Sequence, residues 1–495
     1  MTGRPLQKVL AIGLDSCDLE YLQCYLPHLP HLQRLLGKGT LTEVDTTATA
    51  MDASVWPTFM MGCLPGAHGY YFPFQWHAQA LRYQRVAAGW LPFTPFWDSL
   101  SEGGCQVGVF DMPMLPLPVQ STDRLRYYHW HSQDEGTAYR YNDTPLGRQI
   151  EQKWGPNPLF YDIPVDKTPE QLEQLRCAAM SSAETRGKMG KWLLEESDWD
   201  LFITCFSELH RAGHYLCPDP IQNEQPLDDS DTLIDVYRAV DQAIGTLLSA
   251  HTAQNVRVVV FSLHGMGPNN SQEHFVPKVL DRLFSSPVAD PAAHSVAPQR
   301  SLFRWLREKV PAQLQQSIAR HVSISVRDWV VNRAFSSGLD WHHIPAFRML
   351  SGGQGYLRFN IQGREKGGWL IAGSEQHRQV KARLKEAFLS LQDAHSGKPL
   401  VKQMLDIEDL YPGPFTPYLP DVSIIWHDLP PAGEIHSPTL GNFSGRIGTG
   451  RGGNHRPKAF YSCDSELPEH VTRQMTHICE LHRVFTHLLE GTESV

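Results

Sequence analysis

No two of the nine cysteines form a CxxC pair, and their odd, scattered placement offers neither a disulfide framework nor a cysteine-based zinc site. Such usage fits a reducing compartment. No run approaches the roughly 18 apolar residues that a membrane span requires, so no membrane association is expected. The opening stretch from Met1 to Ser16 has no long apolar region before a small-residue cleavage site; it enters a strand at once, as a signal peptide would not. A cytoplasmic location is the expectation. Positive charge is also scarce: 44 Lys and Arg stand against 53 Asp and Glu, a net charge of −9 that disfavours a nucleic-acid surface. Repeats and low-complexity tracts are lacking as well.

Histidine, by contrast, is plentiful, with 24 in 495 residues, and hints at metal chemistry. Hydrophobic residues at 41% and charged residues at 20% make an ordinary globular balance. The stretches Lys8–Asp15, Gln106–Pro113, Asp200–His210 and Val256–Gly267 contain short continuous apolar runs, the mark of strands buried on both faces. Helical periodicity fills 170–196 and 231–250 between them. This alternation predicts an α/β fold, with a doubly wound, mostly parallel central sheet and helices on both faces. Residues 1–270 and 346–495 form the expected core, and 271–345, with short amphipathic patterns, a helical insertion or cap. The segment 114–170 reads as irregular loops, Tyr70–Trp76 as an aromatic loop able to wall a pocket, and the last 25 residues as a terminal helix.

The stretch Asp52–Gly69 reads as a loop, a helix start and a Pro-Gly exit. Asp52 or Ser54 would cap the helix, and Pro57 is tolerated only in its first turn. A helix start suits a bound phosphate or sulfate, because its N–H groups are unpaired and partly positive. His68 would tie the exit turn by hydrogen bonds. Around this stretch stand the candidate ligands: Asp15 beyond the first strand, His210 and His214 at helical i,i+4 spacing, His264 beyond the clearest strand, and His455 in the glycine-rich loop 447–457. Imidazoles and carboxylates are the usual ligands of zinc, manganese and iron. Arg451 and Arg456, beside His455, are candidates for an anionic substrate. Glu208 reads more readily as a surface carboxylate than as a group orienting a histidine, and Arg364 with Glu365 as a structural ion pair.

The blocks AIGLDSCD, SVWPTFMMGCLPGAHG, SELHRAGHYL with VVVFSLHGMG, and GYLRFNIQGREKGG with GRGGNHRP together resemble the alkaline phosphatase superfamily, nearest its phosphodiesterase/nucleotide pyrophosphatase branch. Gly62, Pro65, His68 and Gly69 keep the spacing of that branch's TG-x-x-P-x-x-HG signature. The resemblance implies a divalent-metal hydrolase in which two ions share a phosphate. Asp15 matches the first-strand ligand, and His214, His264 and His455 match the three histidines.

Three positions depart from the pattern. His210 stands where the family has Asp, Leu263 stands where an Asp precedes the histidine, and Asp52 falls at the position of the Thr or Ser nucleophile. A carboxylate lost at 263 could be regained from Asp52, giving the ligand sets Asp15, Asp52, His264 and His210, His214, His455. The attacking group is then a metal-activated hydroxide, Ser54 or Asp52. The three-histidine set is also compatible with a single metal. The expected activity is hydrolysis of a small anionic phosphoester, most simply a phosphodiester, with one or two ions of zinc or manganese. The alternatives are a phosphoryl transferase or mutase of the same superfamily, and a non-catalytic relative that binds a ligand or protein.

Overall fold

The first strand, Lys8–Leu14, is apolar at every position after Lys8, and its side chains alternate between two cores. Leu10, Ile12 and Leu14 pack on one face with the Pro169–Glu196 and Thr232–Leu248 helices. Val9 and Ala11 pack on the other with Trp56, Phe59 and the C-terminal His482–Glu490 helix. A strand that feeds apolar groups to both faces has to be central. In the computed structural model it lies fourth in a seven-stranded sheet ordered Leu41–Val44, Ala459–Cys463, Val256–Ser262, Lys8–Leu14, Leu201–Phe206, Val107–Phe110 and Leu125–Tyr128. Only Ala459–Cys463 runs against its neighbours. The structure describes residues 7–86, 90–115, 122–130, 145–159, 167–218, 232–250, 256–284, 326, 328–329, 332–333, 341–445 and 450–490. Among them, no helix is long and apolar enough to cross a membrane.

Three parallel strands end side by side, and the chain leaves each of them carrying a candidate ligand. Asp15 follows Leu14, the Glu208–Leu216 helix with His210 and His214 follows Phe206, and His264 follows Ser262. The carboxyl ends of central parallel strands are where open α/β sheets place ligands. The expected architecture is therefore observed, with helices on both faces.

A second sheet, antiparallel and four-stranded, was not foreseen as a unit. It is ordered Ala346–Met349, Gly355–Phe359, Val422–Trp426 and Val401–Asp406, and is backed by the Glu375–Leu389 helix. Its core also takes Val276, Val279 and Leu280 from the Val276–Phe284 helix, the first part of the stretch expected as an insertion. Residues 285–325 and most of 326–340 lie outside the described residues. The Arg364–Glu365 pair is present at 3.1 Å, joined by Arg358 on Glu365 at 2.6 Å and by Asp421 on Arg364 at 2.6 Å.

Other local readings change. Tyr70–Trp76 is not a free loop: Phe74–His77 pairs with Arg82–Arg85 as a hairpin, and Tyr71 and Trp76 are buried with Met51, Phe347 and Tyr356. These aromatic side chains brace the chain just before Asp52. The segment 114–170 contains a strand at Leu125–Tyr128 and a helix at Pro145–Trp154, and the C-terminal region is broken into two short turns before its His482–Glu490 helix. His455 sits on a short strand, Gly453–Arg456, paired antiparallel with Gly265–Pro268. That strand lies so close to the Glu208–Leu216 helix that a Cβ on Gly453 would meet the Gly213 carbonyl oxygen at 2.1 Å. Gly453→Ala is expected to cost about 1–3 kcal/mol through forced separation of the two elements, read as a lower urea midpoint with an unchanged slope.

Candidate metal centre

Asp15 is fully buried and enters the site on a sharp turn, because Ser16 beyond it has φ of +60°, an uncommon backbone for a non-glycine residue. Its Oδ2 accepts from His210 Nδ1 at 2.9 Å. Its Oδ1 accepts from Trp56 Nε1 at 2.9 Å and faces His264 Nε2 at 3.3 Å. Burial pushes this carboxyl up, but His210 and His264 pull it well below the usual carboxylate range, so it is an anion. The Ser16 hydroxyl lies 3.3 Å from His264 Nδ1 and 3.4 Å from its Nε2, and the Gly265 carbonyl lies 3.2 Å from Nδ1.

Asp52 begins a 3₁₀ turn, Asp52–Ser54, that runs into the Val55–Met61 helix; Ser54 is the N-cap residue of that helix, one of the two expected, but its side chain makes no capping hydrogen bond. The Asp52 carboxylate accepts at Oδ1 from Ala53 N–H at 2.8 Å and faces the Tyr356 hydroxyl at 3.3 Å. Its Oδ2 accepts from His455 Nδ1 at 2.8 Å. Burial raises this group as well, and the bond and charge of His455, with the Ala53 N–H and His264, together more than reverse the effect. Close approach is possible because residue 352 is glycine: a Cβ there would lie 2.3 Å from Asp52 Oδ2. Ser54 is fully buried, and its hydroxyl donates to the Met51 carbonyl at 3.1 Å rather than to any of the histidines.

The imidazoles converge between the two carboxylates. His210 Nε2 lies 3.0 Å from His214 Nε2 and 3.3 Å from His455 Nε2. His214 Nδ1 donates to the Gly453 carbonyl at 3.0 Å. Two groups have donor atoms close enough together to hold an ion: His210, His214 and His455, and Asp15, His210 and His264. Burial is the main reason that His210, His214 and His455 lie below the ordinary histidine range, with His455 at about 4. Buried imidazoles held neutral are in the form that binds metals.

The two arginines differ. Arg451 lies near enough to the cluster for its charge to disfavour protonation of His210 and His214. Arg456 is the next residue along the strand from His455 and so points to the other face, where it meets Glu20 at 3.3 Å. His68 ties the turn as expected, with Thr58 Oγ1 at 3.1 Å and the Tyr70 N–H at 2.9 Å.

Glu208 is not a surface group. It is fully buried at the start of the helix that carries His210 and His214, and it binds Ser182 Oγ at 2.6 Å and Arg186 Nε at 2.8 Å. Arg186 bridges onward to Asp111 at 2.8 Å, at the end of the neighbouring strand. Trp56, Gln354 and Tyr356 around the carboxylates were missed as well. The continuous apolar run ending at Asp111 was the one available signal for any of these.

Residues 9–345, more than half of the chain, match the type I phosphodiesterase / nucleotide pyrophosphatase family. The chain belongs to that family. Among solved structures it is similar to phosphonoacetate hydrolase from Sinorhizobium meliloti 1021 in complex with phosphonoformate, at 13% identity and a TM-score of 0.57, with 98% of this chain and 97% of that one covered. It is also similar to murine ectonucleotide pyrophosphatase / phosphodiesterase 5, at 13% identity and a TM-score of 0.51 over 99% and 96% of the two chains. No match was found among curated protein sequences.

Proposed function

We propose that this protein is a metal-dependent hydrolase of a small phosphoester, most simply a phosphodiester. The observation that carries the reading is the convergence of three imidazole Nε2 atoms between two buried carboxylates at the ends of the central strands. Family membership supports phosphoester chemistry, and the donor set supports zinc or manganese. A divalent ion supplies Lewis-acid polarisation of phosphoryl oxygens and a nucleophile at neutral pH.

The chain's own residues prepare that chemistry. Asp15 and Asp52 fix the ring orientations of His210 and His455 through Nδ1, and the Gly453 carbonyl does the same for His214. Arg451 adds positive charge beside the cluster, suited to an anionic substrate. The fold with its two-sided core holds these groups on regular elements: Asp15 beyond a central strand, His210 and His214 on a helix, Asp52 on a 3₁₀ turn and His455 on a short strand.

The test is turnover of bis-p-nitrophenyl phosphate by protein stripped with a chelator and then resupplied with zinc or manganese. Hydrolysis is expected to fall by at least about a hundredfold on stripping and to return with the metal. Turnover that appears only with an alcohol acceptor would instead indicate a transferase. Parallel assays with p-nitrophenyl phosphate and phosphonoacetate separate diesters from monoesters and from C–P substrates.

A further inference from the structure

The strand pair that carries His455 ends beside two side chains of opposite charge. Beyond the Gly453–Pro268 step it is continued by Asn269, whose N–H donates to the Gly452 carbonyl at 2.7 Å and whose Nδ2 donates to the Arg451 carbonyl at 3.0 Å. Arg451 is thereby held next to the chain that runs on from Asn269 into the 3₁₀ turn Glu273–Phe275. The loop 351–354 lies against both. Ser351 Oγ donates to Glu273 Oε2 at 2.8 Å, Ser271 Oγ donates to the Gly353 carbonyl at 2.6 Å, and Arg451 Nη1 approaches the Gly352 carbonyl at 3.5 Å. Gly352 is the residue packed on Asp52, which in turn holds His455. Arg451 and Glu273 are thus fastened to one loop, and that loop touches the metal centre.

Neither charge is spent on a structural pair. Buried ionic groups elsewhere in the chain are in direct contact, as Arg186 is with Glu208 and Asp111, and Arg358 with Glu365. Among the described residues, Arg451 and Glu273 form no ion pair with each other or with any other group; the one contact of the guanidinium is long, and the carboxylate has the Ser351 bond alone. Both side chains are only partly exposed. Burial pushes the Glu273 carboxyl up, against the Ser351 bond and the more distant charges of Arg451 and Arg348. A half-buried carboxylate without a cation in contact is an open acceptor, and a donor of positive charge is what it lacks.

An order of charges follows along the loop. The metal centre and Arg451 offer positive charge to a phosphoryl group, and Glu273, on the same loop, offers negative charge. A ligand that matches this order carries its anion at one end and a cation a few bonds away. A second anion would be repelled by Glu273, and a plain alkyl group would leave the carboxylate desolvated and unpaired. We propose that Glu273 is a specificity-determining residue, and that with Arg451 it forms a subsite for the ammonium group of an amino-alcohol phosphodiester. The proposal rests on the hydrolase reading and goes beyond it by assigning the charge of one ester group.

The experiment compares four p-nitrophenyl phosphodiesters on the metal-loaded protein, differing only in the second ester group: 2-aminoethyl, 2-hydroxyethyl, ethyl and 2-carboxyethyl. At pH 7, kcat/KM is expected to be about 10- to 100-fold higher for the aminoethyl than for the ethyl ester, and lowest for the carboxyethyl ester. Glu273→Gln keeps an acceptor for Ser351 and removes the charge. It should bring the aminoethyl-to-ethyl ratio to about one and raise the carboxyethyl-to-ethyl ratio about tenfold. A carboxylate that only anchored the loop would move all four rates together and leave the ratios as they were, which would overturn the proposal. Equal preference for the hydroxyethyl and aminoethyl esters in the wild-type protein would overturn it too, and needs no variant. If none of the four is hydrolysed, the hydrolase reading falls on its own, and calorimetry with 2-aminoethyl phosphate and ethyl phosphate decides the subsite. The aminoethyl compound should then bind the wild-type protein at least about tenfold more tightly than the ethyl compound, and Glu273→Gln with no preference; equal binding to the wild-type protein would overturn the proposal.

Discussion

Replacing His214 by alanine is expected to lower kcat/KM toward a phosphodiester by about a thousandfold or more, and to empty the site of metal. His214 is 3% exposed and has no role in the apolar cores. Its two ring nitrogens are divided between the Gly453 carbonyl and the face shared with His210 and His455. Lewis-acid stabilisation of phosphoryl transfer is worth several kcal/mol, and each 1.36 kcal/mol is a factor of ten in rate, so about 4 kcal/mol gives the thousandfold loss. Steady-state kinetics with metal analysis of the same preparation checks it. A variant that keeps its ion and more than a tenth of the activity would remove His214 from the site. His68→Ala is the matched control: that ring is equally buried but is committed to Thr58 and the Tyr70 N–H, so it should lower stability while leaving metal content unchanged.

The contrast between His214 and His68 shows what the chain reveals by pattern and what it withholds. Parallel strands buried on both faces leave uninterrupted apolar runs, and ligands beyond their ends sit where such sheets gather function. Asp15, His264 and the His210/His214 pair were legible for that reason. His455 was legible as a candidate, but its strand was not: Gly453–Arg456 is four residues long, preceded by Gly452 and followed by Pro457, too short for any alternation to show. Had it been read as a strand, the opposite orientation of Arg456 would have followed. Gln354 and Tyr356 reach Asp52 from the second sheet across some 300 residues of sequence, and nothing local marks such an approach. Glu208 was misread because a carboxylate next to a helix start is usually solvated. Its burial depends on an arginine 22 positions earlier, in the middle of a helix whose other charges are mostly on the surface.

That arginine supports the second large prediction. Arg186→Met is expected to destabilise the fold by about 3–5 kcal/mol, because it leaves the Asp111 and Glu208 carboxylates buried without their cation. Removing all three charges together, with apolar residues of similar volume, should restore much of the loss, since a satisfied ion network in a low-dielectric interior is costly to desolvate as well as to break. Acid titration separates this mechanism from a simple packing defect. Burial pushes the Asp111 carboxyl up, but Arg186 and His129 bring it from 3.8 down to about 2. A carboxyl depressed in the folded state stabilises the protein above its unfolded pKa. That contribution, about 2 kcal/mol, should fade as the pH falls from near 4 through 2. In Arg186→Met the largest attraction is gone while burial still acts, opposed only by His129 and the Trp130 N–H, so the Asp111 pKa rises and acidification relieves more of the penalty. Urea midpoints between pH 3 and 7 should therefore converge for the two proteins toward the acid end. A constant gap across that range would mean that the arginine contributes by packing against Phe110 and Trp130, whose ring centroids lie 5.6 and 5.7 Å from its guanidinium, and not by charge. Because Glu208 opens the helix that presents His210 and His214, the same variant should bind metal more weakly at pH 7 even where it remains folded.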